Sequence, residues 1–216
     1  MILSKDKIII IDFGSQVTKL IARRIREFNV FSEIVTLNEF NKIKDLKKIK
    51  GIILSGGPST VNLNYFPSID KKIFLKGIPI LGICYGLQLI TKTFKGKVKT
   101  NNKKREFGRA ILNKHQDSLL TKNIYKKNKT TVWMSHQDTV YKIPKNFKRI
   151  AYTEHSPFTV IENKSRKIYG IQFHPEVTHT LMGKTIIKNF IFLICKIQRN
   201  WRVSSEKNRI IKEISE

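Results

Sequence analysis

Short, unbroken apolar runs recur in the first half of the chain, each bounded by polar or turn-forming residues. Lys7–Phe13 contains four consecutive isoleucines, and Gly51–Leu54 and Ile78–Ile83 follow a similar pattern. Continuous apolar runs of this length predict strands that are buried on both faces of a sheet. A further strand is predicted over Phe31–Val35.

The segments between these runs carry apolar residues three and four positions apart, which predicts helices with one buried face. The predicted helices are Gln16–Phe28, Leu37–Ile49 and Ile69–Leu75. Strands that alternate with helices predict βαβ units, and therefore a parallel sheet with right-handed crossovers. The first half of the chain is thus expected to form an α/β structure with helices on both faces of the sheet.

The pattern changes between Gly96 and Gly170, where strand-like runs are separated by loops rich in Lys, Asn and Ser. The predicted strands here are Phe107–Leu112, Thr130–Met134, Arg149–Tyr152, Phe158–Ile161 and Ile168–Phe173. Such a series predicts hairpins that extend the sheet, so the whole sheet is expected to be mixed and mainly parallel. A last core helix is predicted over Thr178–Ile197.

The chain has 216 residues, which is enough for one α/β domain with a sizeable core. No apolar run approaches the roughly 20 residues that span a bilayer, and the N-terminus lacks a signal-peptide pattern. These observations predict a cytoplasmic protein with no membrane partner. Two cysteines, Cys84 and Cys195, are too few for a disulfide framework or a thiolate metal site. No metal is predicted, and Cys195 is expected to be a core residue.

The formal net charge of +26 is extreme and has two interpretations. One is nucleic-acid binding. The other is compositional drift in an AT-rich genome, because the chain is rich in Lys, Ile and Asn throughout. The lysines are dispersed and do not alternate with aromatic residues as in RNA-binding motifs, which favours drift. We therefore expect no specific nucleic-acid partner, only a weak attraction to polyanions that salt removes.

One stretch, Pro79–Gln88, combines a buried strand, a sharp turn and the start of a helix. Its turn reads Gly82-Ile83-Cys84-Tyr85-Gly86, which is a nucleophile elbow with a thiol in place of a hydroxyl. The nucleophile of such an elbow has a strained backbone, and flanking glycines avoid steric clashes. The helix dipole and free backbone N–H groups favour a thiolate at this position. Cys84 is therefore the predicted catalytic nucleophile.

A cysteine nucleophile needs a base and a group that orients the base. His174 follows the predicted strand Ile168–Phe173, so it should emerge at the same sheet edge as Cys84. Glu176 lies two residues further on, past a proline, and could hold the far nitrogen of the imidazole. The chain's other histidines lack such a partner at short range; they are His115, His136, His155 and His179.

Acyl transfer also needs an oxyanion hole. The backbone N–H of Tyr85 is one predicted donor, because it directly follows the nucleophile at the helix start. Gly57 is the second, because its glycine-rich loop follows a parallel strand at the same sheet edge. The alternative is that Ser55–Gly57 forms a pyrophosphate-binding loop, which would need a helix start where Pro58–Thr60 follows.

The elbow and three further segments in combination carry a family resemblance. The elbow together with Phe173–Glu176 resembles the class I (triad) glutamine amidotransferases. Lys104–Arg109, Val132–His136 and Tyr169–Thr180 are similar to the glutaminase domain of the GMP synthase family. The resemblance extends from Ile8 to about Cys195, and it implies a class I glutamine amidotransferase-like (flavodoxin-like) fold.

The resemblance also implies a reaction and its participants. Cys84 would form a γ-glutamyl thioester with L-glutamine, and His174 would protonate the departing ammonia. In the family an ATP-pyrophosphatase (synthetase) domain uses that ammonia to aminate xanthosine monophosphate (XMP) to GMP. By the family's pattern Gln88 helps to hold glutamine, and Ser135 and His136 line the pocket. No cofactor is implied for this chain, since ATP and Mg²⁺ belong to the synthetase domain, and the full enzyme is implied to form a homodimer.

Two features depart from the family pattern. The family often has glycine after the Ser-His pair, where this chain has Gln137, which would lower glutamine affinity if a positive φ is needed. The family's ATP-binding Ser-Gly-Gly-x-Asp-Ser loop is also absent. We therefore expect an amidotransferase domain over residues 1–198 and the start of a linker over residues 199–216. The chain is then either a fragment of a two-domain enzyme or a separate glutaminase subunit.

Two other functions stay open at this point. A related cysteine hydrolase could act on γ-glutamyl peptides or other small amides without any synthetase partner. A non-enzymatic basic binding module would explain the charge, but it gives no reason for Cys84, His174 and Glu176.

Overall fold

In the computed structural model, which describes residues 5–100 and 106–202, a nine-stranded sheet forms the centre of the molecule. The strands are β1 (Lys7–Asp12), β2 (Ser32–Thr36), β3 (Ile49–Leu54), β4 (Ile80–Ile83), β5 (Lys97–Thr100), β6 (Glu106–Lys114), β7 (Lys129–His136), β8 (Asp138–Lys142), β9 (Lys148–Tyr152), β10 (Val160–Asn163) and β11 (Ile168–Ile171). The order in the large sheet is β2-β1-β3-β4-β11-β10-β9-β6-β7, and β5 pairs with β8 separately.

The large sheet has a parallel half and an antiparallel half. Strands β2, β1, β3, β4 and β11 are parallel neighbours. Strands β10, β9, β6 and β7 continue the sheet from β11 in antiparallel pairs. The carboxyl ends of β3, β4 and β11 lie together, and this edge is where ligands bind in open α/β sheets. The predicted fold class is confirmed.

Helices cover both faces of the sheet. The helices are α1 (Thr18–Arg26), α2 (Leu37–Asn41), α3 (Tyr85–Thr93) and α4 (Gly183–Asn189), with a 3₁₀ helix over Lys71–Leu75 and a π-helical turn over Phe190–Ile194. Because side chains alternate along a strand, the isoleucines of β1 serve two cores. Ile8 and Ile10 belong to the core that contains α1 and α4, and Ile9 and Ile11 to the core that contains α3.

Two predicted helices are too long. The helix predicted over Leu37–Ile49 ends at Asn41, although Thr36 and Glu39 form a capping box at its start. Lysines at 42, 44, 47 and 48 follow, and like charges on one face destabilise a further turn. The helix predicted from Thr178 begins at Gly183, because the residues before it bond to the edge of β7.

Two strands were missed in the sequence. Strands β5 and β8 are short and each contains a single aliphatic residue, so neither shows an apolar run. They pair through the buried Val98 and Val140 and lie beside α3. Their significance is positional, since they place Thr100 and Asp138 next to the elbow.

The predicted linker is described only over residues 199–202, and residues 203–216 lie outside the described part of the chain. Asn200 and Trp201 both donate backbone hydrogen bonds to the carbonyl of Asn29. Lys104 and Arg105, which belong to the family motif, also lie outside the described residues. In the described ranges, no helix is long and apolar enough to cross a membrane.

Candidate active site

Cys84 occupies the turn between β4 and α3 with a backbone φ of 52°, in the left-handed region that non-glycine residues rarely adopt. The flanking glycines are sterically required. A Cβ on Gly82 would lie 2.5 Å from the carbonyl oxygen of Gly86, and a Cβ on Gly86 would lie 2.3 Å from the carbonyl oxygen of Leu54. The local sequence therefore folds into the strained elbow that exposes a side chain at the sheet edge.

His174 and Glu176 form a buried pair next to this elbow. The Nδ1 atom of His174 lies 2.8 Å from Oε1 of Glu176, and the Glu176 side chain is completely buried. The backbone N–H of His174 donates to the carbonyl of Trp133 in β7 at 3.1 Å, which holds the start of this loop. The structure thus brings Cys84 together with His174 and Glu176, which lie about 90 residues further along the chain.

The electrostatic environment of His174 favours the protonated imidazole. Burial alone would lower the pKa of His174, but hydrogen bonds and charge interactions with Cys84 and Glu176 raise it to about 10. A histidine with this environment can hold a proton next to the sulfur at neutral pH and deliver it to a leaving group.

Two further groups contact the sulfur of Cys84. The Nε2 atom of Gln172 donates to Sγ at 3.7 Å, and the thiol lies 3.8 Å from the carbonyl oxygen of Ser135.

Gly56 lies against the side chains of His174 and Cys84, because a Cβ there would be 3.3 Å from Cε1 of His174 and 3.8 Å from Cβ of Cys84. A larger residue at position 56 would therefore press on the imidazole.

The two predicted oxyanion donors are near the sulfur and unused. Tyr85 is the first residue of α3, so its N–H has no partner within the helix. Within residues 5–100 and 106–202, neither its N–H nor that of Gly57 donates a hydrogen bond. Gly57 lines the cavities beside Cys84, and a Cβ there would lie 2.5 Å from the carbonyl oxygen of Phe13. The position thus requires glycine for close packing.

A cavity of about 380 Å³ opens beside Cys84 and contains a buried carboxylate. That carboxylate belongs to Asp138, which accepts a hydrogen bond from Thr100 at 2.6 Å and another from Thr60. The predicted substrate residue Gln88 also lines the cavity, and its Nε2 donates to the backbone carbonyl of Asp138 at 3.0 Å. The cavity therefore offers one negative charge to a ligand whose reacting end lies at Cys84.

A second cavity of about 400 Å³ meets the first at Cys84. It is lined by His174, Trp133, Val177 and the turn after β1, whose residues are Gly14, Ser15, Gln16 and Val17. The imidazole faces this second cavity, whereas Asp138 and Gln88 belong to the first one. The sulfur thus lies between a cavity that contains the Asp138 carboxylate and a cavity that contains the His174 imidazole.

A sequence comparison decides the family. The profile described as glutamine amidotransferase class-I matches residues 9–194. The chain belongs to the class I glutamine amidotransferase family. Glutamine-hydrolyzing GMP synthase of Clostridium botulinum (strain Hall) is 45% identical to this amidotransferase over an alignment of 216 residues. The alignment covers 99% of the chain and 41% of that protein.

The same protein from Brachyspira hyodysenteriae is 49% identical over 212 residues, covering 98% of the amidotransferase chain and 40% of the relative. The chain spans about two fifths of the length of these curated relatives. Among solved structures, a protein of Thermoplasma acidophilum that is described as a candidate subunit of GMP synthase has 31% identity and a TM-score of 0.75, with 96% of this chain and 97% of that chain covered. A glutamine amidotransferase of Thermotoga maritima, at 20% identity and a TM-score of 0.64, shares the fold.

In this amidotransferase the two other predicted pocket residues contribute in different ways. Ser135 presents its backbone carbonyl to the thiol. His136 is buried, and its Nε2 lies 3.2 Å from Oε2 of Glu106. Burial alone would raise the pKa of Glu106, but the adjacent His136 and two hydroxyl donors hold it below its usual value. The pair therefore fixes the end of β7, which carries Ser135.

Gln137 does not need the conformational freedom of glycine. It is exposed and its φ is not positive. The departure from the family's glycine therefore leaves the pocket backbone of this amidotransferase unstrained. The alternative of a pyrophosphate-binding loop at Ser55–Gly57 lacks its helix start, because the next helical element begins only at Lys71.

Three site residues were not predicted from the sequence. Gln172 directly follows β11, and its place two residues before His174 was the available signal. Gly56 adjoins the predicted Gly57. Asp138 follows the Ser-His pair by two residues, but its burial depends on Thr60 and Thr100, which come from distant segments of the amidotransferase.

Proposed function

We propose that this chain is the glutaminase of a GMP synthase. It hydrolyses L-glutamine through a thioester on Cys84 and supplies ammonia to an ATP-dependent synthetase that aminates XMP to GMP. The observation that carries the proposal is the strained Cys84 elbow beside the buried His174–Glu176 pair. The identity of 45% and 49% to two glutamine-hydrolyzing GMP synthases supports this reaction.

The first half of the proposed reaction forms the thioester. His174 takes the thiol proton, and Sγ of Cys84 attacks the side-chain amide carbon of glutamine. The resulting oxyanion accepts hydrogen bonds from the N–H groups of Tyr85 and Gly57. Collapse of the intermediate breaks the C–N bond while the nitrogen takes the proton from His174 and leaves as ammonia. Glu176 holds the imidazole by Nδ1, so that Nε2 faces the reaction.

The second half releases glutamate. Water attacks the thioester carbon and gives a proton to His174, and the same N–H groups receive the oxyanion. Collapse breaks the C–S bond, and the imidazole returns the proton to the sulfur. These steps use only side chains and backbone N–H groups of this chain, together with a water molecule from the solvent. ATP and Mg²⁺ are proposed to act on the synthetase, which is the proposed partner.

Glutamine hydrolysis by the purified chain tests the proposal. The proposed function predicts glutamate and ammonia in equal amounts from L-glutamine, and GMP from XMP once the matching synthetase, ATP and Mg²⁺ are added. Faster turnover of γ-glutamyl peptides than of glutamine, independent of any synthetase, would instead identify a γ-glutamyl hydrolase.

We propose that Asp138 binds the α-ammonium group of glutamine. Asp138 is 7% exposed, and it lines the cavity beside Cys84 with only hydroxyl partners for its carboxylate, so a cationic ligand group would complete its contacts. A hydrogen bond to a charged group contributes about 1.5–3 kcal/mol. We therefore expect Asp138→Asn to raise the KM for glutamine about 10- to 100-fold while kcat changes little.

The control is glutaramate, which carries the same amide but lacks the α-amino group. Its KM is expected to be similar for the wild-type chain and for Asp138→Asn, because the removed charge has no partner on this ligand. An equal rise of KM for glutamine and glutaramate would show that the substitution only damages the pocket.

A further inference from the structure

We propose that the synthetase docks on the outer face of the β6–β7 hairpin and covers the mouth of the second cavity, through which ammonia leaves. This inference rests on the proposed glutaminase function and names the surface that the function needs. The hairpin face consists of the outward-pointing side chains of the two strands, which are Phe107, Arg109, Ile111, Thr131, Trp133 and Ser135.

The register of the hairpin separates this face cleanly from the core. Phe107 pairs with Ser135, Arg109 with Trp133, and Ile111 with Thr131, whereas the intervening residues include the buried Leu112, Val132 and Met134. Although Phe107 and Ile111 have large apolar side chains, Phe107 is 60% exposed and Ile111 is 50% exposed. Large apolar side chains clustered on an exposed sheet face indicate an interaction surface.

The hairpin face is continuous with the reaction site. Phe107 lines the first cavity, Trp133 lines the second, and the carbonyl of Ser135 contacts the Cys84 thiol. A protein that covers the hairpin face therefore also borders both openings to the sulfur. The exposed apolar surface and the catalytic centre form one region.

The loop that carries the base is bonded along the outer edge of β7. Two of these hydrogen bonds involve Trp133: its carbonyl accepts from the N–H of His174, and its N–H donates to the Thr180 hydroxyl at 3.1 Å. In a third, the N–H of Leu181 donates to the carbonyl of Thr131 at 3.3 Å. The ring of His179 lies 4.4 Å from that of Trp133. Leu181, which is 70% exposed, extends the apolar surface across this loop.

The chemistry of ammonia favours an acceptor at this place. Ammonia that escapes into neutral water is protonated and loses the lone pair with which it attacks an activated carbon. His174 protonates the leaving nitrogen on the side of the second cavity, whose rim includes Trp133 and Val177. Coupling is efficient only when the partner that consumes ammonia closes this opening, and the hairpin face adjoins it.

The charge of the surface indicates the chemistry of the partner. The hairpin face carries Arg109 and no acidic residue, on a chain with a net charge of +26. The complementary surface on the synthetase should have an apolar centre and an acidic rim. Charge complementarity of this kind acts on association and weakens with salt.

The test introduces a negative charge into the hairpin face and measures coupling. The chain is combined with its own organism's synthetase, either as two separate proteins or as the continuous polypeptide, with XMP, ATP and Mg²⁺. We expect Ile111→Glu and Leu181→Glu each to lower the GMP formed per glutamate released by about 10-fold. Glutamine hydrolysis by the chain alone, and GMP formation from added ammonium salt, should stay within about twofold of wild type.

The matched control is Leu75→Glu, which charges a leucine of similar exposure, 68%, in the 3₁₀ helix. It should leave the GMP-to-glutamate ratio unchanged. An unchanged GMP-to-glutamate ratio in both Ile111→Glu and Leu181→Glu overturns the inference, and so does an equal loss in Leu75→Glu. Loss of self-association with an unchanged ratio would assign the face to a second copy of this chain and also overturn it. A wild-type chain that releases no glutamate from glutamine contradicts the proposed function itself.

Discussion

Replacement of Cys84 by alanine is expected to lower glutamine hydrolysis by about 10⁴-fold or more, because no other described side chain can form the thioester at the elbow. The substitution removes only one sulfur atom from a side chain that is 7% exposed, so the fold should persist. The rate of glutamate release from saturating glutamine, with circular dichroism as a check on folding, measures the effect.

Cys195→Ala is the matched control for this prediction. Cys195 is the second cysteine of the chain, it is buried, and its sulfur packs against Gly51 in the core that contains α4. Its substitution should cost some stability and leave the rate within about twofold of wild type. Hydrolysis in the Cys84→Ala variant within tenfold of the wild-type rate would contradict the proposed nucleophile.

Replacement of His174 by asparagine is expected to lower the rate about 10³-fold or more, because the base and the proton donor are lost together. It should also change how stability depends on pH. The pKa of His174 is raised from 6.5 to about 10 in the folded chain, chiefly by Cys84 and Glu176, against the lowering effect of burial.

The sign of the pH effect follows from this raised pKa. The protonated His174 stabilises the folded chain fully below its unfolded pKa of about 6.5. This contribution declines as the pH rises and is lost through about 10. The free energy of unfolding, from urea denaturation at several pH values, should therefore differ most between wild type and variant near pH 6. A difference that grows with pH would contradict the assigned environment of His174.

The sequence was most informative where one local pattern determines the structure. The isoleucines of β1 can be buried only between two layers, so a central strand that is covered on both faces was predictable from that run alone. The glycines around Cys84 were equally informative, because the contacts of Gly82 and Gly86 leave no room for a Cβ. Gly82 meets the backbone of Gly86 in the same turn, whereas Gly86 meets Leu54 of the neighbouring strand β3, so the motif indicates both the turn and its packing against the sheet.

Prediction from sequence failed where tertiary contacts replaced local preference. The segment before Gly183 has apolar helical spacing, but its backbone bonds to β7 and holds the loop of His174. The pairing of β5 with β8 similarly depends on their position beside α3.

The role proposed for Asp138 could not be predicted from the sequence, because it also depends on tertiary contacts. An aspartate in a lysine-rich region looks like a solvated residue, and only the distant hydroxyls of Thr60 and Thr100 show that it is buried in the cavity. Gln172 likewise contacts the sulfur through a packing arrangement that the motif alone does not specify. The placement of Cys84 beside His174 was therefore predictable from motifs, whereas the position of Asp138 in the cavity required the folded structure.

The central claim is that Cys84 attacks the side-chain carbonyl of bound glutamine. A diazoketone analogue of glutamine, which alkylates a thiolate with loss of dinitrogen, tests it by mass spectrometry of the treated chain. We expect a single adduct, located on Cys84, whose formation is slowed by excess glutamine and is absent in Cys84→Ala. An adduct on Cys195, or labelling of Cys84 that glutamine does not slow, would contradict it.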